Sequence, residues 1–210
     1  MNRTQTMGTW CVAAAAYLAI GGVATQIVQA STSVSDQVWS YPWSGQASIP
    51  LSASWAIAQT VLVLAILELR RSGLAGPTRP ASAGLATAAV GTSLIVVGHL
   101  VSIAVRNQSI HATGPEIAGA IFGAGSVLSA AGFLLSGFAS ARHGRWGDWR
   151  RFTPLVTGAW TVALIGLQFT AILPIAFSIY ATCFIALGLA LRRTSPEPST
   201  TPDSLQAQRA

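Results

Sequence analysis

An all-α polytopic membrane protein, a bundle of six transmembrane helices, is the fold class this chain predicts, on three observations. Hydrophobic residues make up 51% of the 210 and charged residues only 9%, with a mean hydropathy of +0.54. A soluble domain would carry about a quarter charged residues. The few charges are clumped, leaving long stretches with none. The arginines gather in short connections between apolar runs, the placement expected of a chain threaded through a bilayer.

Six apolar segments follow in order, each near the ~20 residues that a bilayer core requires. They cover about 8–29, 51–69, 82–105, 115–139, 154–172 and 174–191. The first ends in "VQAS", which resembles a signal-peptidase site. Its apolar stretch is longer than a usual signal sequence and only Arg3 precedes it, so an uncleaved helix is expected. The second, third and fourth are continuous apolar runs with short polar connections. The fifth and sixth share one run, "PLVTGAWTVALIGLQFTAILPIAFSIYATCFIALGLAL". Proline removes a backbone donor and disfavours helix at the residue before it, so a tight turn is expected at Ile172–Pro174. Together these make a single domain over 1–193. The tail 194–210 is rich in Pro, Ser and Thr, has little to bury, and is expected to be disordered.

All twelve basic residues are arginine. That usage points to a GC-rich genome and a bacterial, actinobacterial-type source. With six spans, eleven of the twelve fall on one face and Arg106 alone on the other. Both termini are then expected in the cytoplasm of a bacterial cell, with the chain multi-pass in the plasma membrane. The high pI, about 10.7, is thereby explained by topology, and no nucleic-acid partner is expected.

Enzyme chemistry finds little support. Cys11 and Cys183 lie in apolar segments at a spacing that fits no zinc or redox motif. No HExxH, intramembrane acidic pair or dinucleotide fingerprint occurs. Haem ligation between helices usually takes two intramembrane histidines, and only His99 qualifies. "GAGS" at 123–126 is loosely similar to the serine motif of rhomboid proteases, but the following glycine is missing. No cofactor, metal site or catalytic residue is therefore expected. Glu68 is explained by the neighbouring Arg70 and Arg71, and Glu116 by the N-terminus of the fourth span, where the helix dipole favours an anion.

Four stretches stand out. Trp39, Tyr41, Trp43 and Trp55 read as an interfacial aromatic belt, or else as a lid or platform for a ligand. The loop "ARHGRWGDWRRFTP" interleaves Arg142, Arg145, Arg150 and Arg151 with Trp146, Trp149 and Phe152. It suits topological anchoring or contact with anionic lipid. The fourth span carries two small-residue faces, Gly119/Gly123/Ser126/Ala130 and Gly125/Ser129/Gly132/Ser136/Ser140, which let backbones approach closely.

The fourth stretch surrounds His99, in "LIVVGHLVSIAV". On a helix, Thr92, His99, Ser102 and Arg106 share an arc of about 80°. Gln26, Gln29, Gln59 and Gln168 fall at a similar level on other spans, with Glu116 and Tyr180 near the outer ends of theirs. Polar groups facing lipid are expensive, so this stripe is expected to face the bundle interior or a water-filled cavity. The expectation is an outward-opening polar vestibule built from His99, Ser102, Arg106, Gln26, Gln59, Glu116 and Gln168. The competing expectation is one interhelical hydrogen bond from His99 to Gln26, Gln59 or Ser102.

"VSDQVWSYPWSG", "LELRRSG" and "GRWGDWRRFTPL", in that order between apolar spans, resemble a group of uncharacterised actinobacterial six-span integral membrane proteins carrying a domain of unknown function. The resemblance covers most of 8–191 and implies a location and a helix count, with no activity. The favoured function is a non-catalytic accessory protein that binds lipid or a membrane-protein partner. The alternative is a small transporter, permease-like protein or ligand sensor, with an intramembrane enzyme third.

Overall fold

The computed structural model describes residues 2–168 and 170–193, so the expectation for the tail at 194–210 lies outside the described residues. Among the described residues the chain forms six α-helices: α1 (Arg3–Gln29), α2 (Gly45–Ser72), α3 (Arg79–Val105), α4 (Thr113–His143), α5 (Thr153–Leu167) and α6 (Leu173–Arg192). A 3-10 turn, Trp149–Phe152, leads into α5. All of these helices except α5 are long and apolar enough to cross a membrane.

The helices start where side chains can take up free backbone donors. The Asn2 side chain accepts from the Gln5 amide at 2.9 Å and Gln5 bonds back at 3.2 Å, a reciprocal cap. Ser44 and Thr78 cap α2 and α3 in the same way. Gly73 closes α2 at φ +64°, a left-handed position that favours glycine.

The six helices close into a ring. Each packs on its neighbour in the chain, and α6 returns to pack on α1. Every neighbouring pair is antiparallel. Arg3 meets Glu68 and Gly21 meets Trp55, which orients α1 against α2. Arg70 meets Ser82, and Trp55 meets His99. Gly84 lies against Ser136, and Gly98 against Phe122. Gly137 lies against Leu155 and Gly158 against Leu134, while the Trp160 indole bonds the Ala176 carbonyl. Gly8 faces Gly188 across α1 and α6. All described arginines except Arg106 therefore stand at one end, here the arginine end. The connections 30–44 and 106–112, with residues 168 and 170–172, form the opposite, loop end.

Small residues set how closely the helices approach. A Cβ on Gly84 would stand 2.6 Å from the Ser136 amide nitrogen, and one on Gly125 would stand 2.8 Å from the Gly91 carbonyl. The Gly125/Ser129/Gly132/Ser136 face of α4 is thus the α3 contact. Without water between helices, such close packing is what holds a membrane bundle together. Buried hydroxyls here are satisfied cheaply: Thr92, Thr157 and Thr161 each donate to the carbonyl four residues back, at 2.7–2.9 Å.

The arginine half of the ring is filled. Phe133 and Phe184 meet edge to face at 5.6 Å, surrounded by fully buried Leu62, Ile66, Leu69, Leu187 and Leu191. Glu68 is also buried there. Its partners are Arg3 at 3.2 Å and Thr4 at 2.8 Å, both on α1, rather than the neighbouring Arg70 and Arg71.

Two expectations need correction. The fifth apolar run does not continue to residue 172. Helix α5 stops at Leu167, whose carbonyl accepts from both the amide and the hydroxyl of Thr170, at 2.9 and 2.6 Å. Pro174 sits in the first turn of α6, where its missing N–H costs nothing. Fifteen residues give a helix of about 22 Å, short of the ~30 Å apolar core. The second correction concerns the arginine-rich loop, which is not wholly interfacial. Trp146 is buried in the core, and the Arg145 amide bonds the Leu74 carbonyl at 3.1 Å.

Candidate functional site

At the loop end the ring is hollow. A partly open cavity of about 690 Å³ lies between all six helices. Thr25 and Gln29 face it from α1, Ser48, Leu51, Ser52 and Trp55 from α2, and Ile95, His99 and Ser102 from α3. Gly119, Phe122 and Ser126 come from α4, Thr161, Leu164 and Ile165 from α5, and Phe177 and Tyr180 from α6. Its volume falls in the range of small-molecule sites, about 300–1,000 Å³, and its wall is mostly apolar and aromatic.

The connection 39–43 forms part of this wall, with Trp39, Ser40, Tyr41, Pro42 and Trp43 all lining the cavity. It is stitched to the connection between α3 and α4. Trp39 N–H donates to the Gln108 carbonyl at 3.0 Å, Ser40 N–H to the Arg106 carbonyl at 3.1 Å, and Ile110 N–H to the Gln37 carbonyl at 2.9 Å. The Trp43 indole reaches the Thr25 hydroxyl at 3.3 Å, and Thr32 donates to the Pro42 carbonyl at 2.8 Å. Aromatic rings that would otherwise float in the headgroup layer are held over the bundle axis.

His99 sits between two rings, edge-to-face with Trp55 at 5.7 Å and with Phe122 at 5.1 Å. Trp55 in turn stacks on Phe177 at 5.0 Å with the planes 11° apart. The packing fixes the imidazole without any hydrogen bond to Nε2, which is buried and unpaired. The Trp55 indole N–H, the Ser40 hydroxyl and Arg106 Nε are also buried without a partner. The Tyr180 hydroxyl is buried without a partner as well, so five wall residues carry an unpaired buried polar atom, where such atoms are normally paired. Arg106 Nη1 donates to the Ile103 carbonyl at 2.7 Å and has no carboxylate partner among the described residues. It is the only formally charged side chain on the described wall.

Of the seven residues expected to build a vestibule, His99, Ser102, Arg106 and Gln168 line the cavity and three do not. Gln26 is turned about 100° from the stripe that Thr25 and Gln29 share, and its Oε1 is buried and unpaired away from the cavity. Gln59 is fully buried one turn deeper along α2, with Trp55 lining the wall above it. Glu116 is exposed, about 90° around α4 from the stripe of Gly119, Phe122 and Ser126. A hydrogen bond from His99 to Gln26, Gln59 or Ser102 does not form: Ser102 donates to the Gly98 carbonyl at 2.8 Å, and the Gln59 amide has no partner.

Sequence reasoning underrated the aromatic residues of the wall. Trp39, Tyr41, Trp43 and Trp55 read as a belt because a tryptophan at a membrane surface and one over a cavity have the same sequence signature. Their density beside a buried His99 level was the available signal. Phe122 and Phe177 carried none.

The four arginines expected to meet anionic lipid divide into two pairs. Arg142 and Arg145 are exposed. Arg150 is engaged, with Nε 2.8 Å from Asp148 and Nη1 donating to the Arg193 carbonyl at 3.0 Å. Its hydrogen bond holds the Asp148 carboxyl below the usual carboxylate range. Arg151 stacks on Phe152 at 4.7 Å, with a buried, unpaired Nε. Among the described residues no group of three or more His, Cys, Asp or Glu could hold a metal ion.

Comparison with known protein families, with curated proteins and with solved structures yields no match to this chain.

Proposed function

We propose that this protein is a non-catalytic, ligand-binding protein of a bacterial plasma membrane. It takes a small, largely apolar molecule carrying hydrogen-bonding groups into the cavity at the loop end. The observation that carries this reading is the wall itself, contributed by all six helices, mostly apolar and aromatic, with His99 held between Trp55 and Phe122. In this reading α5 completes a sixth crossing together with the 3-10 turn before it, and the arginine end faces the cytoplasm. The cavity then faces outward, as a sensor or a permease-like protein would require.

The test is extraction and mass spectrometry of small molecules retained after purification in mild detergent. Wild-type protein is expected to hold a near-stoichiometric molecule that a cavity-filling Gly119→Trp variant has lost. Equal retention by a folded Gly119→Trp variant would refute the reading. Reporter fusions after Arg193 and within residues 35–45 are expected on opposite sides of the membrane, the first inside.

The accessory reading keeps one specific support. Exposed Arg142 and Arg145 lie near half-exposed Trp149 and Phe152, a pairing suited to anionic headgroups at the inner leaflet. That surface and the cavity stand at opposite ends of the bundle and do not compete.

A further inference from the structure

The wall of the hollow is selective in which half of a hydrogen bond it can supply. Thr25, Ser48, Ser102 and Thr161 all line it. Each hydroxyl already donates its proton to a carbonyl of its own helix: Thr25 to Gly21 at 2.8 Å, Ser48 to Gly45 at 2.9 Å, Ser102 to Gly98 at 2.8 Å and Thr161 to Thr157 at 2.7 Å. A hydroxyl has one proton and two lone pairs, so what remains for an occupant is acceptor oxygen. Of the four, Ser102 alone is half-buried and the others are buried. It lies one turn from His99 toward the loop end, on nearly the same side of α3.

Much of the wall's donor capacity is spent or covered. The Trp43 indole N–H is given to Thr25 Oγ1 at 3.3 Å, and Arg106 Nη1 to the Ile103 carbonyl at 2.7 Å. The Trp55 indole N–H, the Ser40 and Tyr180 hydroxyls and Arg106 Nε have no partner, but protein atoms cover each of them. Gln29 and Gln168 can act either way. The balance of the wall is toward acceptors.

The wall also lacks a counter-ion. Among the described residues it carries no Asp, Glu or Lys. A cage of rings is a common site for a quaternary ammonium, yet the one formal charge here is the Arg106 guanidinium, which repels a cation. An anion would have to compete with the Ile103 carbonyl for that guanidinium, whose Nε is out of reach. A charge buried without a partner is heavily penalised, so a neutral occupant fits best.

Much of the remaining surface is aromatic, and its rings are fixed. Trp55 is held by its stack on Phe177 at 5.0 Å and by His99 at 5.7 Å, and Phe122 by His99 at 5.1 Å. Trp39 and Trp43 come from the connection stitched to residues 106–110. A ring entering such a chamber gains offset or edge contacts that a saturated molecule of equal size does not.

We infer that the cavity selects an uncharged aromatic molecule bearing an O–H or N–H donor, of the phenol or indole type, which gives its proton to Ser102 Oγ. This rests on the ligand-binding reading above and names its ligand class.

The experiment uses the full chain in phosphatidylcholine nanodiscs and a 2-naphthol carrying a diazirine on its second ring, followed by peptide mapping after photolysis. Saturable labelling is expected on the peptides containing Trp55, Phe122 and Phe177. Unlabelled competitors are dosed to equal concentration in the disc lipid, so that partitioning drops out. 2-Naphthol should compete about fivefold better than 2-methoxynaphthalene, the scale of one net neutral hydrogen bond. It should compete at least about tenfold better than 2-naphthoate or 2-naphthyltrimethylammonium, and better than decahydro-2-naphthol. Ser102→Ala should abolish the preference for naphthol over its methyl ether while leaving competition by the ether intact. Ser102→Thr, which keeps the oxygen, should retain the preference. Equal competition by naphthol and its ether overturns the donor, and a charged analogue that matches naphthol overturns the neutral class. A decahydronaphthol that matches it overturns the ring, and a preference unchanged in Ser102→Ala overturns the acceptor. Each of these spares the ligand-binding reading. Absence of saturable labelling overturns this inference alone if the purified protein still holds a molecule that Gly119→Trp has lost, and both readings if it holds none.

Discussion

The two halves of this bundle use the same six helices to opposite ends. In the arginine half, glycine and serine faces bring backbones together, Phe133 and Phe184 fill the axis, and the buried carboxylate of Glu68 is paired. In the loop half, large aromatic side chains line a hollow, and His99, Trp55, Ser40 and Arg106 keep buried polar atoms unpaired. A close-packed interior with satisfied polar groups is what stability alone selects. Unpaired buried atoms occur in both halves, Ser140 and Trp146 among them, so it is the hollow that sets the loop half apart, and the proposed function uses that hollow. The fifth helix runs along both halves: Gly158 packs on Leu134, while Thr161, Leu164 and Ile165 line the hollow before the helix ends at Leu167.

The sharpest way to break this comparison is to overpack each half in turn. Gly132→Leu in the packed half would drive a side chain into the Ala88 backbone. It is expected to cost more than ~3 kcal/mol, at or beyond the upper end for overpacked cores, and to abolish folded protein on size exclusion. Gly123→Leu meets nothing within 4 Å and should leave the unfolding midpoint nearly unchanged. Comparable damage from both would mean that the halves do not differ in packing.

Truncating aromatics should separate the halves in the same direction. Phe133→Ala removes a fully buried ring from a filled axis and is expected to destabilise by about 3 kcal/mol in denaturant titration. Phe122→Ala enlarges an existing hollow and should cost about 1 kcal/mol or less, since part of its surface already faces open space.

Polar substitutions give smaller effects. Glu68→Gln retains an acceptor for Thr4 but loses the ion pair with Arg3, whose side chain is 72% exposed. A loss of no more than about 1 kcal/mol is expected, read from the thermal midpoint. His99→Phe keeps a ring against Trp55 and Phe122 and discards the unpaired Nε2, so it should change stability by under ~0.5 kcal/mol while weakening ligand retention. A large loss of stability would show that His99 holds the fold instead of lining a site.

The smallest effect belongs to the arginine surface. Arg142→Gln with Arg145→Gln should weaken binding to anionic liposomes by about 1 kcal/mol per charge and leave ligand retention unchanged. Acidification is a related probe. The Asp148 carboxyl is held down by Arg150, so any contribution from that pair is present above the ordinary carboxylate pKa and fades as pH falls through the lowered value. The pair is exposed, so circular dichroism should register little change in the bundle.

Much of this protein was determined by sequence alone. Composition and arginine placement dictate an all-helical membrane architecture, because a bilayer core tolerates unpaired backbone groups and free charges so poorly that apolar length and charge clumping become direct signals. The small-residue face of α4 was legible too, since glycine and serine at helical spacing have one main use between membrane helices. Three things waited for the tertiary structure. Helical periodicity places His99, Gln26, Gln59 and Glu116 at one level, but only the rotation of each helix against its neighbours sends His99 to a cavity, Glu116 outward, and Gln59 into the packed interior. The same tryptophan chemistry serves an exposed surface, a core and a cavity wall, so Trp149, Trp146 and Trp55 took those different fates through packing partners distant in sequence. The end of α5 at Leu167 lies inside an apolar run that composition could not divide. A carbonyl captured by the Thr170 backbone and hydroxyl decided it.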